Sequence, residues 1–310
     1  MNDYQKEILI KLIEEQNLGV FYTNNTFSMI TTLKVGGKIN ILFYPNSIES
    51  LIIIIDKCHK DKINYFIIGN GSNILASDDF YDGLVISLKQ IPNKFIIEKI
   101  NDKRYSVIVD GGCSTKKFSD FLIDHHLTGA EGLGFIPATV GGVVAMNASC
   151  YSFEASKFVK RVEVISDGKL VWLENKELEY SYRNSKILKD KLIATRVEFE
   201  FEKGIIDEIL NKNRNFYEQR KITQPIDKKC AGSTFKNGNT YKAWKLIDNV
   251  GLKGFKIGGA IVSKKHANFL INDGNAKSID FYNLIKYIKR TVKNELNIEL
   301  ETEWIFINFN

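Results

Sequence analysis

Two glycine-rich stretches, GNGSNI at 69–74 and GFIPATVGGVVAMNAS at 134–149, are the places where this 310-residue chain could do chemistry. In the first, Gly69, Asn70, Gly71, Ser72 and Asn73 are small or polar and precede Ile74. A turn of that kind can point successive backbone N–H groups at a phosphate. The dinucleotide-binding fingerprint is excluded, because Ile74 stands where its third glycine belongs. The residues that follow, LASDDFYDGLVISL, read as loop and strand instead of the required helix. By itself GNGSNI is most simply a turn that ends a strand. In the second stretch Pro137 fixes φ, while Gly141 and Gly142 permit close backbone approach to a ligand. Thr139, Asn147 and Ser149 offer hydrogen bonds without bulk. VGGVVAM could equally pack tightly at a crossing in the core. Two such stretches about 65 residues apart favour a ligand.

The elements that must hold these turns follow from periodicity. Ile8, Leu9, Leu12 and Ile13 at helical spacing predict an N-terminal helix, and Ser47 can cap a second over 48–61. Residues 65–68, 84–88, 105–110, 161–166, 169–173 and 193–201 read as strands. Further helices are predicted after Ser114, over 205–221 and over 279–295, with a strand through IELETEWIFI near the end. Along that strand Glu301 and Glu303 share a face with Ile305 and Ile307, so periodicity cannot choose between the two acids. The fold class is α+β, without the regular βαβ alternation of a doubly wound sheet.

Composition narrows the function classes. Hydrophobic residues make up 44% and charged residues 26%, too apolar for a disordered chain. Asp3, Glu7, Glu14 and Glu15 interrupt the apolar residues at the start, which argues against a secretory signal. With no bilayer-length apolar run, the expectation is a soluble cytoplasmic protein. Cys58, Cys113, Cys150 and Cys230 are scattered without a CxxC, so neither a metal site nor a disulfide framework is expected. Net charge is +6, but residues 211–265 alone hold 13 Lys or Arg against 3 acidic residues. That patch suits an anionic ligand or a solvated face. A nucleic-acid-binding role would need an accompanying recognition motif, and none is present.

Taken together, TTLKVGG (31–37), IIGNGSNIL (67–75), GAEGLGFIPATVGG (129–142) and MNAS (146–149) resemble the flavin-binding half of the UDP-N-acetylenolpyruvoylglucosamine reductase family. That family belongs to the wider FAD-binding group shared with vanillyl-alcohol oxidase. YSYRNS (180–185), TQPIDKKCAGSTFKN (223–237), LIDNVGLKGFKIGGAIVSKKHANFLIN (246–272) and LETEW (300–304) continue the resemblance in order. It implies two α+β subdomains gripping FAD (1–88 and 89–203) and a third substrate-binding lobe (204–310). It also implies NADPH as hydride donor and a nucleotide-sugar enolpyruvate as substrate, handled by a monomer without nucleic-acid or membrane partners. Gly69, Asn70, Gly71, Ser72, Asn73 and Ile74, with Ile136, Pro137, Thr139, Val140, Gly141 and Gly142, would hold the pyrophosphate through backbone amides. Asn147 and Ser149 would complete the cofactor site. Ser233 matches the family's proton donor, Arg183 the arginine that holds the carboxylate, and Glu303 the glutamate near the double bond. Tyr182, Lys236, Asn237 and His266 fall at substrate-contacting or neighbouring positions.

The chain departs from the family pattern at a few points. Ala138 stands where glycine is usual, SCYS replaces the usual run at 149–152, Asn70 replaces a smaller residue and Gly238 a proline. A covalent flavin link through Cys150 is considered and set aside in favour of non-covalent FAD. The short segment between Arg183 and Phe201 fits the shorter subgroup, which lacks an extra substrate-covering loop. An oxidase of the wider group is the alternative enzyme, and AGSTFKN with Arg183 argues against it.

Overall fold

The computed structural model describes residues 1–309. The chain divides into two compact units, each assembled from separate stretches. The first takes Met1–Thr23, Ile41–Asn70 and Asp82–Tyr217; the second takes Asn24–Asn40, Gly71–Tyr81 and everything from Glu218 on.

The first unit holds two larger sheets, each with its own core, and a short two-stranded pairing of Ser149–Cys150 with Phe153–Glu154. A four-stranded sheet runs in the order Gly19–Tyr22, Ile39–Pro45, Tyr81–Ile86, Tyr65–Ile67, the last pair parallel. The helix Ile48–Lys60 buries Leu51, Ile54, Ile55 and Cys58, a single stripe at helical spacing, in the core that contains Ile41, Phe43, Leu84 and Ile86. Ser47 caps it as expected, its hydroxyl accepting from the Ser50 N–H. The second sheet is antiparallel, ordered Lys169–Glu174, Val159–Ser166, Ile193–Lys203, Arg104–Asp110, Phe95–Lys99, with Leu127–Thr128 also paired to Ile193–Lys203. Val107, Val109, Val162, Val164, Val197, Phe199 and Phe201 are buried in its core, as alternation along half-buried strands requires. The helices Thr115–Asp124 and Val140–Ala145 supply Phe118, Leu122, Val140, Val143 and Val144 to the same core.

The second unit has its own core. Its sheet runs Lys229–Ser233, Phe269–Asn272, Ala260–Val262, Lys256–Ile257, antiparallel throughout. The helix Ser278–Leu296 buries Phe281, Leu284, Ile285, Ile288 and Val292 in the same core. Ile74–Ala76 and Ile305–Ile307 form a separate parallel pair.

The α+β class is as the sequence indicates, and three local differences stand out. Phe95–Lys99 is a strand and Val140–Ala145 a short helix, neither evident from periodicity. The strand expected across 298–307 is ordered as such only over Ile305–Ile307. Upstream the chain changes partner: Thr302 bridges Phe235, and the Lys236 and Glu303 N–H groups donate to Glu301 and Thr234 carbonyls. Two short pairings with different neighbours replace one long ladder.

Candidate functional site

Within the first unit the two glycine-rich stretches meet. A Cβ on Gly69 would lie 2.6 Å from Thr139 Oγ1, so only glycine lets the backbone come this close without displacing the threonine. Asn70 ties the same turn down: its Nδ2 donates to the Pro137 carbonyl at 2.8 Å, and its Oδ1 accepts from Lys89 Nζ at 2.8 Å. Thr139 is buried and caps the helix Val140–Ala145, its Oγ1 accepting from the Gly142 N–H. Ala138, the departure from glycine, is partly buried and packs against the core beside Ile136. The added methyl therefore has an apolar neighbourhood of its own.

The backbone accounts of the two stretches are opposite. The N–H groups of Gly69, Asn70, Gly71 and Ser72 donate to no acceptor among the described residues. By contrast, Ile136 donates to Leu133, Ala138 to Ile136, Val140 to Cys113 and Gly141 to Gly111, at 2.8–3.0 Å. At these four positions of 136–142 the amides already have acceptors inside the protein. VGGVVA instead packs at a core crossing, the alternative reading of that segment. Unsatisfied amides in consecutive residues are what an anionic pyrophosphate needs. On this ground the residues present fit FAD, with Thr139 and Pro137 backing the Gly69–Asn70 end of the turn.

Arg183 sits in a tight turn of the first unit. Ser181 and Asn184 exchange both backbone hydrogen bonds, and Arg183 is held at φ +55° between them. A non-glycine residue in the left-handed region persists only when its surroundings enforce it, and such outliers cluster at functional sites. Asn147 enforces it here. Its buried amide donates to the Ser181 carbonyl at 3.1 Å and accepts from the Ser156 N–H at 3.0 Å. Arg183 Nη1 donates to Ser149 Oγ at 3.0 Å, and its guanidinium lies 5.3 Å from the ring of exposed Tyr182. Asn147 and Ser149, read from the sequence as cofactor contacts, are in the structure the residues that set the arginine's place.

The second unit gathers Ser233, Glu303, Lys236 and the later half of the first stretch. The Glu303 N–H donates to the Thr234 carbonyl at 2.8 Å, one residue beyond Ser233. The Glu303 carbonyl accepts from Asn73 Nδ2 at 3.2 Å, and the Asn73 carbonyl accepts from the Ile305 N–H at 3.0 Å. Asn73 thus clamps the backbone on both sides of Trp304, a role that 230 residues of separation hid from the sequence. The Glu301 carboxylate pairs with Lys236 Nζ at 2.5 Å and is 72% exposed. Asn237 Oδ1 accepts from the Ala243 N–H and so fixes the start of the helix Ala243–Asn249. His266 lies among Trp244 and Phe269, with ring centroids 6.0 and 4.8 Å away. Burial pushes its pKa below the usual 6.5, so it is neutral at pH 7. Lys89 is a residue the sequence reading missed; nothing in its own neighbourhood marks it out. Among the described residues no three His, Cys, Asp or Glu side chains converge as metal ligands, and no helix is long and apolar enough to cross a membrane.

The chain is similar to known proteins over most of its length. The family model described as UDP-N-acetylenolpyruvoylglucosamine reductase, C-terminal domain, matches residues 224–307, and that of an FAD binding domain matches residues 39–174. A UDP-N-acetylenolpyruvoylglucosamine reductase of Caldanaerobacter subterraneus is 38% identical over 96% of this chain and 97% of its own length. One from Clostridium novyi is 40% identical over 88% of this chain and 87% of its own. The crystal structure of the corresponding reductase from Thermus caldophilus superposes with a TM-score of 0.76 at 32% identity, covering 93% of this chain and 98% of that one. A glucooligosaccharide oxidase from Acremonium strictum, at 12% identity and a TM-score of 0.50, shares the fold alone.

Proposed function

The chain belongs to the UDP-N-acetylenolpyruvoylglucosamine reductase family, and from that premise we propose that it reduces UDP-N-acetylglucosamine enolpyruvate to UDP-N-acetylmuramate at the expense of NADPH, for peptidoglycan synthesis in the cytoplasm. The observation that carries this reading is the run of hydrogen bonds from Thr234, next to Ser233, through Glu303 to Asn73, which ties the candidate acid residues to the GNGSNI turn. Bound FAD supplies a carrier that takes a hydride from one molecule and gives it to another.

The chain's own residues supply the rest. Unpaired N–H groups from Gly69 to Ser72 would hold the cofactor's pyrophosphate, backed by Thr139 and Pro137. Arg183 would grip the substrate carboxylate, its guanidinium already oriented by Ser149 and Tyr182. When a hydride reaches the β-carbon of the enolpyruvyl group, the double-bond electron pair moves into the carboxylate. A permanently charged, bidentate partner stabilises that developing enolate. The Ser233 hydroxyl then gives its proton to the α-carbon and is reprotonated from solvent, so the reaction consumes one hydride and one proton. A hydroxyl is a weak acid, and only accurate placement makes it competent. Glu303 would polarise the same centre or relay the replacement proton. Tyr182, Lys236, Asn237 and His266 would line the approach of the nucleotide sugar, and the basic stretch 211–265 suits its diphosphate.

Ser233→Ala tests the assignment. Bleaching of the bound flavin by NADPH is expected to stay within about twofold, while recovery of colour with substrate falls by about 10²–10³. Equal losses in both steps would mean that Ser233 shapes the pocket and donates no proton.

A further inference from the structure

The strand that carries Ser233 breaks its regular ladder one residue earlier. Lys229 pairs with Asn272, Cys230 with Ile271 and Ser233 with Phe269. Ala231 and Gly232 therefore share the place opposite Leu270, which makes a β-bulge. Gly232 carries the bulge at φ +72°. Side chains alternate along a regular strand, so without the extra residue Ser233 would share a face with Ala231. Ala231 is 1% exposed and belongs to the core of the second unit. The bulge flips that alternation, and Ser233 is half-buried at the edge of the core. Space is not what requires glycine here. A Cβ at Gly232 would meet nothing nearer than the Ser72 carbonyl oxygen at 3.9 Å. The left-handed backbone alone requires it.

We infer that Gly232 is the positioning residue for Ser233: its left-handed bulge turns the serine hydroxyl off the core face and toward substrate. The inference rests on the reading of Ser233 as proton donor. Alanine at position 232 disfavours the left-handed backbone, so the bulge relaxes and residue 233 falls back toward the face of Ala231. Asparagine tolerates the left-handed region and keeps the bulge.

Orientation can be read without any cofactor chemistry. In a chain carrying Cys230→Ser and Ser233→Cys, the introduced thiol is alkylated with N-ethylmaleimide under native conditions and quantified by mass spectrometry. Adding Gly232→Ala is expected to slow alkylation at position 233 by about tenfold or more, because labelling follows local exposure. Gly232→Asn should stay within about threefold of the parent, as its tolerance of the left-handed region predicts. A chain that failed to fold would label faster, so misfolding cannot imitate the expected result. With the native serine in place, Gly232→Ala should slow colour recovery by about tenfold while NADPH bleaching is unchanged, and Gly232→Asn should restore it. Unaltered alkylation in Gly232→Ala overturns the inference whatever Ser233→Ala does. Full turnover in Ser233→Ala with slowed alkylation in Gly232→Ala would instead overturn the proton-donor reading and leave the orientation result standing.

Discussion

Gly69–Ser72 and Ile136–Gly141 look alike in sequence, both small, glycine-bearing and polar, yet they use their backbones in opposite ways. The first leaves four consecutive N–H groups without an acceptor among the described residues, and the second spends nearly all of its own. Glycine density marks both a ligand turn and a tight packing site, and only the account of donors separates them. The first suits the anion proposed for it. The second backs its Gly69–Asn70 end, through the contact of Gly69 with Thr139 and the bond from Asn70 to Pro137.

The sharpest way to break this comparison is at the contact itself. Gly69→Ala should weaken FAD binding by about a hundredfold, or roughly 2.7 kcal/mol, because Thr139 cannot yield without losing its cap. Adding Thr139→Ala removes the obstructing oxygen and should recover about tenfold of that loss in a double-mutant cycle. Titration of the apoprotein followed by flavin fluorescence reads both. Wild-type affinity in Gly69→Ala would mean that the two stretches do not act as turn and wall.

A smaller effect separates cofactor holding from chemistry. Asn73 belongs to the first stretch by sequence, but its side chain clamps the chain around Glu303. Asn73→Ala should leave FAD affinity within about threefold while colour recovery with substrate slows by about tenfold, the scale of a modest misplacement. Equal loss of both would return Asn73 to the cofactor turn. The smallest effect lies in stability. His266 has its pKa lowered by burial, so between pH 6.5 and its folded value only the unfolded chain takes up a proton. Stability then rises with pH across that window and falls on acidification through it. His266→Gln should flatten this part of the stability curve in denaturant titrations, and an unchanged slope would show that burial of His266 does not contribute.

Much of the scaffold was legible because its signals are local. Ser47 and Ser114 each sit one residue before the first residue of a helix, and both cap the helices they precede. The valine-rich strands alternate as half-buried strands must. Phe95–Lys99 escaped because it lies at the end of its sheet with Ile96, Glu98 and Lys99 exposed, which blurs its alternation. Val140–Ala145 escaped because two glycines depress helix propensity, and tertiary packing of three valines overrides it. The resemblance selected Glu303 over Glu301 where periodicity could not. In the structure Lys236 engages the Glu301 carboxylate, and Asn73 and Thr234 fix the Glu303 backbone. Such ties join residues from 65 to 230 positions apart, and no pattern in one sequence encodes them.

The proposed passage of electrons from NADPH through one bound flavin to a nucleotide-sugar enolpyruvate is tested most directly by anaerobic absorbance of the purified holoprotein. NADPH should bleach the yellow colour, and UDP-N-acetylglucosamine enolpyruvate added under nitrogen should restore it in proportion to the substrate consumed. Colour that returns only when air is admitted would contradict the account and make the protein an oxidase.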